Sequence, residues 1–455
     1  MPAILYGTKA YRRRVGNLPE LKLVNMFVEE SPAGEQGVVL LTRPGLLSSA
    51  SVGAGPVRGI FWAEGVFSGD LFVLSGGTLY RDGVSLGTVT GTGPVSFAAS
   101  ASELLITAGA SLYSYDGTDF VEVSFPGGAN VVAIAYHDGL FIAARAESQR
   151  YYWSAVNDGR TWDDLDFAAA ESSPDNLVDL KILGDTLFLI GPATIEPWSN
   201  TGDPDAPYSR IEGRIIQKGA HGTGCTVLLD NSLFFVGSDC IVYRIADVPQ
   251  RISDHGIEER IKASTDVSAF AVLWEGHSFF CIRLDDGTFA FDVATGQWCE
   301  FASYGRDNWR AQCASTLGAV TCLGDDEDGT VWTLSGVEDG EGTLEVRWTA
   351  AIPSEGPFRL DVLRIEANSG HTPVLTGQGA DPVVEMRSSR DAGATWGDWS
   401  EASLGLQGNY RRLTEWRCLG LFDDPGAVLE FRCTDPVGLR VSKVYVPEKR
   451  GGRSR

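Results

Sequence analysis

The sequence predicts an all-β protein: a β-propeller of about seven blades, a C-terminal β-sandwich and an extended N-terminal arm. Three observations predict it. Short apolar strands recur in pairs, with one grammar, through the middle of the chain. The 54 glycines fall between these runs, where tight β-turns need them. From about Val346 the pairs give way to longer, alternating strands. At 455 residues, 43% hydrophobic and 21% charged, the chain has material for two or three domains and a large core.

Residues 1–45 read as the arm. Arg12, Arg13 and Arg14 make a local basic patch, suited to an acidic partner subunit or to nucleic acid. Leu18-Pro19-Glu20-Leu21 is a turn, Val24-Asn25-Met26-Phe27-Val28 a short strand, and Ser31-Pro32 and Arg43-Pro44-Gly45 punctuate the rest.

Residues 46–345 read as the propeller. Asp70-Leu71-Phe72-Val73-Leu74 is followed by Thr78-Leu79-Tyr80-Arg81-Asp82-Gly83, and Glu103-Leu104-Leu105-Ile106-Thr107 by Leu112-Tyr113-Ser114-Tyr115-Asp116-Gly117. The same pairing recurs at Leu140 and Tyr151, Leu187 and Ile195, Leu233 and Ile241, Phe279 and Phe289, and Val320 and Val331. That makes about seven units at a period of roughly 33 to 47 residues, near the propeller range. A small antiparallel sheet cannot bury its faces alone. Radial stacking buries both faces and leaves only short edges. A stack of β-sandwiches competes with this reading, but the shared grammar of consecutive units favours the propeller.

The stretch Thr186 to Cys225 breaks the grammar. Its first half is one more strand pair, ending at Trp198. Its second half is a loop dense in turn formers, Ser199 to Tyr208, and a Gly-rich return, Gly219 to Gly224. No helix is predicted after the return, so it lacks the dipole of a phosphate cradle and reads as the re-entry into the propeller.

Residues 346–447 read as a sandwich of about 100 residues. Phe358 to Ala367 largely alternates, and Val383 to Arg387, Trp416 to Leu421, Val428 to Cys433 and Leu439 to Val446 continue the pattern. Residues 448–455 form a basic tail.

Net charge is −23, the opposite of a surface that grips phosphate. Solubility is the ordinary reading of such a charge; the sharper one is a conduit through which DNA slides. Eight cysteines show no C-x-x-C spacing and mostly lie in apolar runs, so buried reduced thiols are expected, although an even count permits disulfides. The five histidines lack metal spacing. There is no P-loop, dinucleotide fingerprint or nucleophile elbow, so no cofactor, metal or catalytic site is expected. The N-terminus has no secretory apolar core and no stretch reaches membrane-spanning length. A soluble protein made in the cytoplasm, without stable membrane insertion, is expected.

Ser389-Arg390-Asp391-Ala392-Gly393-Ala394-Thr395-Trp396 fits the S-x-D-x-G-x-T-W pattern of an Asp-box hairpin, and Ser154 to Trp162 is a looser version. Its chemistry is structural, with Ser389 and Thr395 as members of the pattern: Asp391 caps the backbone N–H groups of the turn, Gly393 takes the left-handed conformation and Trp396 packs under the hairpin. Asp-boxes are familiar from sialidase propellers, which makes a glycan-active or glycan-binding propeller the alternative function. Arg145, Arg283, Tyr243 and Glu258 are candidates for such a site, without a supporting local motif. An adhesin reading the host surface is a third possibility. Asp325-Asp326-Glu327-Asp328 lacks the spaced ligands of a calcium loop and reads as an acidic turn.

Thr194-Ile195-Glu196-Pro197-Trp198-Ser199-Asn200-Thr201-Gly202, followed by Ile216-Gln217-Lys218-Gly219-Ala220-His221-Gly222-Thr223, resembles the mid-chain signature of the packaged-DNA stabilisation proteins of short-tailed bacteriophages, also called tail hub or nozzle proteins. Val24-Asn25-Met26 with Arg43-Pro44-Gly45-Leu46 is similar to the family's opening, and Trp416 to Tyr445 to its closing strands. The match is specific in the middle of the chain and departs in blade lengths and in the loop 203–207. The resemblance implies a non-enzymatic virion protein, assembled in the host cytoplasm as a ring, of six copies, below the portal and adaptor rings. It implies a subunit that extends the DNA channel, retains packaged DNA, permits its ejection without sequence recognition, and carries the tail needle, tip or fibres. The candidate subunit contacts are Arg12, Arg13, Arg14 and the loop residues Asp203, Asp205, Tyr208 and Arg210.

Overall fold

The computed structural model describes residues 5–6, 20–31, 37–203, 205–340 and 342–447. Arg12, Arg13, Arg14 and the basic tail 448–455 lie outside them.

Five four-stranded antiparallel sheets follow one another along the chain: blade 1 over 57–88, blade 2 over 96–123, blade 3 over 131–169, blade 4 over 179–210 and blade 5 over 226–251. Blade 6 spans 268–301. Blade 7 has three strands of its own, Ala311–Leu317, Val320–Asp325 and Thr330–Leu334. Its fourth strand comes from the far end of the sequence: Leu46–Ser51 pairs antiparallel with Thr330–Leu334. The first strand of blade 7 lies beside that of blade 1. Gln312 Nε2 donates to the Val57 carbonyl (2.8 Å), and the Trp62 amide donates to Ser315 Oγ (3.0 Å). The ring is thus a seven-bladed propeller closed by an exchanged strand, which leaves no open blade at the seam.

The turns explain the repeat. Asp82-Gly83, Asp138-Gly139, Asp230-Asn231 and Glu275-Gly276 link adjacent strands, and both residues of each pair have positive φ. That is the two-residue hairpin geometry for which Asp, Asn and Gly are the favoured residues. The strands between them are apolar on both faces because each blade packs between two others: Ser232–Val236 and Gly287–Asp292 are buried throughout.

The blade 6 sheet continues outward. Leu23–Val24 adds parallel to Gln297–Phe301, then Val346–Pro353, Gly426–Cys433, Val383–Ser389 and Ser400–Ser403 follow antiparallel. A second sheet, Met26–Glu30, Val38–Thr42, Arg440–Tyr445, Phe358–Ala367 and Thr414–Phe422, covers it. The described part of the expected arm is therefore woven into both sheets. The cause is its apolar run: Leu23, Met26, Phe27 and Val28 are buried and belong to one core with Phe279 and Trp309 of the propeller and Trp348 and Phe431 beyond it. The Trp348 and Phe431 rings stack at 4.9 Å.

Arg43 pins the place where this N-terminal segment enters blade 7. It is 2% exposed and bonds Asp339 (3.1 and 2.6 Å), Asn25 Oδ1 (2.8 Å) and the carbonyls of Pro44 and Ala302 (2.7 and 2.8 Å). A buried cation is tolerated only with its hydrogen-bonding capacity filled in this way.

Candidate assembly interface

In blade 4, Ile195–Asn200 and Tyr208–Arg210 pair with Asn200 opposite Tyr208. The loop between them caps itself. Asn200 Oδ1 accepts the Gly202 amide (2.8 Å), Thr201 Oγ1 accepts the Asp203 amide (3.1 Å), and Asp203 Oδ1 accepts the Asp205 amide (3.0 Å). These are the local side-chain turns that Asn, Thr and Asp favour. Asp203 and Asp205 are exposed. Arg210 is exposed and reaches Glu212 at 3.4 Å.

Tyr208 is different. It is buried, packs with Leu140 and Leu187, and its hydroxyl meets His137 Nδ1 at 2.8 Å. Burial, then Asp138 and Asp185, raise its ionisation well above that of a free tyrosine. Its side chain is spent on the seam between blades 3 and 4, which takes it off the surface that a neighbour would touch.

The Gly-rich return crosses from blade 4 to blade 5. Ile216 bridges Ile195, and Ala220 bridges Gly237. A Cβ on Gly219 would lie 2.2 Å from the Pro192 carbonyl carbon, so only glycine permits this backbone approach. The strand Thr226–Leu229 follows. Beside the return, Lys218 Nζ and the Tyr243 hydroxyl both donate to Asp239 Oδ2 (2.7 and 2.8 Å).

The Asp-box hairpin lies in the outer part of the extended sheet. Asp391 Oδ1 accepts the Thr395 amide (2.8 Å) and the Ser389 hydroxyl (2.7 Å), while Oδ2 accepts the Thr395 hydroxyl (2.6 Å). These bonds, the Thr395 hydroxyl first, hold its carboxyl well below the usual carboxylate range. Gly393 has φ +89°, and the Trp396 ring passes 3.6 Å from where its Cβ would be. Arg387 lies over both Trp396 (4.7 Å) and Trp399 (4.5 Å). The Ser389, Asp391 and Thr395 side chains are all engaged in holding the turn.

None of the residues considered for a glycan site bonds another of the set. Arg283 is in blade 6 and pairs with Asp326; Tyr243 is in blade 5; Arg145 is in blade 3. Glu258, on the helix His255–Ala263, pairs with Arg251. The acidic turn is an internal clamp. Asp326 is shared by Arg283 and Arg306, and Asp325 accepts from Arg310 Nε (2.7 Å) and Trp332 Nε1 (2.8 Å). Among the described residues no group of three or more His, Cys, Asp or Glu is placed to hold a metal ion. All eight cysteines are free; burial pushes the Cys225 and Cys313 thiols up to about 12. No helix among the described residues is long and apolar enough to cross a membrane.

Two exposed features escaped the reading of the sequence. Residues 163–166 carry Asp163, Asp164 and Asp166 around Leu165, which is 82% exposed, on the outer strand of blade 3. Residues 405–413 carry Leu406, Tyr410, Arg411, Arg412 and Leu413, all exposed, just after Ser400–Ser403. The signals were short, D-D-L-D and Y-R-R-L, and neither belongs to the repeat.

A family model described as Bacteriophage P22 Gp10, beta-propeller, matches residues 3–337. The tail hub protein gp10 of Salmonella phage P22 is 26% identical over 261 residues, 50% of this chain and 54% of that protein. The chain thus spans about half the length of the curated relative it matches. Among solved structures, the β-propeller domain of Cps50 (Swd1) from Myceliophteria thermophila is similar with a TM-score of 0.43 and 11% identity, over 64% of this chain and 100% of that one. The extracellular domain of BT4673 from B. thetaiotaomicron has a TM-score of 0.45 and 10% identity, over 88% and 60%.

Proposed function

Since the chain belongs to the family of the phage P22 Gp10 β-propeller, we propose that it is a tail hub subunit: a non-catalytic building block of a phage virion. The family match over residues 3–337 carries the reading. In it, copies of the chain form a ring, of six, on the particle axis below the portal and adaptor proteins. The ring extends the DNA channel, retains packaged DNA, lets it out at ejection, and bears the needle, tip or fibre proteins. Assembly takes place in the host cytoplasm. The propeller, 46–345, supplies rigid bulk and part of the tube, and the N-terminal arm, the sandwich, 346–447, and the loop 203–213 meet neighbours.

Physical features support this. A propeller closed by an exchanged strand, with ionic clamps between blades 6 and 7, resists shear better than an open sheet would. A net charge of −23 repels phosphate over a Debye length of about 8 Å at physiological salt, which favours passage over adhesion. Electron microscopy of virions carrying a tagged chain tests the reading. A ring of tag density on the axis below the portal is expected. Tag density elsewhere on the particle, or glycosidase activity of the purified chain, would sink it.

A further inference from the structure

The 405–413 loop is cationic and apolar on an acidic molecule. Leu406, Tyr410 and Leu413 are 57%, 59% and 57% exposed. Arg411 and Arg412 are exposed and, among the described residues, make no ion pair or side-chain hydrogen bond. The loop is nonetheless built, not loose. The Gly408 amide donates to the Gly370 carbonyl (3.1 Å), Gln407 accepts the Thr372 amide (3.1 Å), and His371 packs on Tyr410 at 4.8 Å. An ordered patch of Tyr, Leu and unpaired Arg has the composition of a protein-binding hot spot.

The blade 3 and 4 rim has the complementary character. Leu165 is 82% exposed there, beside the carboxylates of Asp163, Asp164, Asp166 and Asp205. Asp205 belongs to blade 4, yet with Asp163 it raises the proton affinity of Asp166, after desolvation. The two blades therefore present one acidic field.

Their placement decides the occupant. Ser400–Ser403 is the outermost strand of the sheet that starts at the ring centre in blade 6, five strands beyond Gln297–Phe301, or roughly 24 Å. The 405–413 tip follows it. In the seven-bladed ring blade 3, which carries the 163–166 rim, stands three blades from blade 6, the greatest separation the ring allows. Within one chain the two patches cannot meet. Complementary patches at opposite ends of one molecule are the requirement for a head-to-tail contact, which closes into a ring when its rotation permits.

We propose that a second copy of this chain docks here: the Arg411 and Arg412 tip of one copy seats on the acidic 163–166 rim of the next. Tyr410 and Leu413 then cover Leu165, and the charges fix the register and repel like-to-like pairing. The proposal deepens the hub reading, on which it rests for a ring of copies.

Charge reversal tests it. The purified chain, R411E/R412E, D163K/D164K and the combined quadruple variant are compared by sedimentation velocity at low and high salt. Thermal melting checks that each is folded. The wild type should self-associate at low salt, and each double variant should weaken that by roughly tenfold or more. The quadruple variant should recover to within a few-fold. Unchanged association in either double variant, no recovery in the quadruple, or a wild type that stays monomeric overturns the proposal. Virion localisation separates the two ideas. Tag density on the axis with unchanged double variants keeps the hub and removes this contact. Recovery in the quadruple without density on the axis keeps the contact and removes the hub.

Discussion

His277 joins three parts of the chain through one ring. Its Nδ1 lies 2.9 Å from Asp292 Oδ2 in blade 6. Its face stacks on Phe279 at 5.8 Å, and Phe27 of the N-terminal segment meets it edge-on at 4.7 Å. The Asp292 hydrogen bond, opposed by burial, raises its pKa above the usual histidine value. An unfolded histidine titrates near pH 6.5, so the bond contributes fully below about pH 6.5. The contribution fades as pH climbs through the higher folded value. His277→Gln should therefore lower stability most in mildly acidic solution and flatten the decline of the wild type above about pH 6.5. Urea denaturation of both proteins across pH measures this; parallel pH profiles would contradict it. None of this was legible in the sequence, where His277 is one of five scattered histidines. Its meaning depends on Phe27, 250 positions away in the chain.

At the scale of elements, the sequence announced the middle two strands of each blade and hid the outer two. Blade 5 gives the reason. Ser232–Val236 is buried at every position and Val242–Ile245 at all but one, so both read as apolar runs. Thr226–Leu229 is only half-buried, and Pro249–Arg251 lies at the exposed edge, so neither carries a period. The closing strand is harder still. Leu46–Ser51 has one buried residue, and its partner Thr330–Leu334 is remote in sequence. Only the ring geometry makes sense of Leu-Leu-Ser-Ser-Ala-Ser as a structural element. The same holds for Gly55, which leads from this strand into blade 1. It has φ +82°, and a Cβ there would lie 2.0 Å from the Asp328 carbonyl carbon. Gly55→Ala faces both an unfavourable backbone region and a backbone clash. It should cost more than about 1 kcal/mol and open the seam between blades 7 and 1 first. Hydrogen exchange should then show lost protection across Thr330–Leu334 with blade 4 unchanged. Uniform loss over all blades would argue against a local seam.

At the scale of the molecule, the sequence divided the chain into arm, propeller and sandwich, and the core does not respect that division. One cluster runs from Leu23 and Phe27 through Phe279 and Trp309 of the propeller to Trp348, Trp416 and Phe431. The sheet that carries it is continuous from Ser268–Trp274 to Ser400–Ser403. Stability of blade 6 and of the outer sheets is thus coupled through side chains that touch both. Trp348 is the test position: it is fully buried, stacked on Phe431, and its strand pairs with Leu23–Val24, which in turn pairs with blade 6. Trp348→Ala should cost about 3–5 kcal/mol, as truncation of a buried large aromatic does. If the two parts were independent, calorimetry would show the sandwich melting alone, ahead of an unshifted propeller. With one shared core, the transition of blades 6 and 7 should move down together with that of the sandwich. Amide protection in Gln297–Phe301 should fall in step with that in Gly426–Cys433. The same coupling bears on assembly. A contact at the 405–413 tip would be braced, through five strand pairings and one core, against the ring of blades, so load applied at the tip reaches the propeller without passing through a flexible joint.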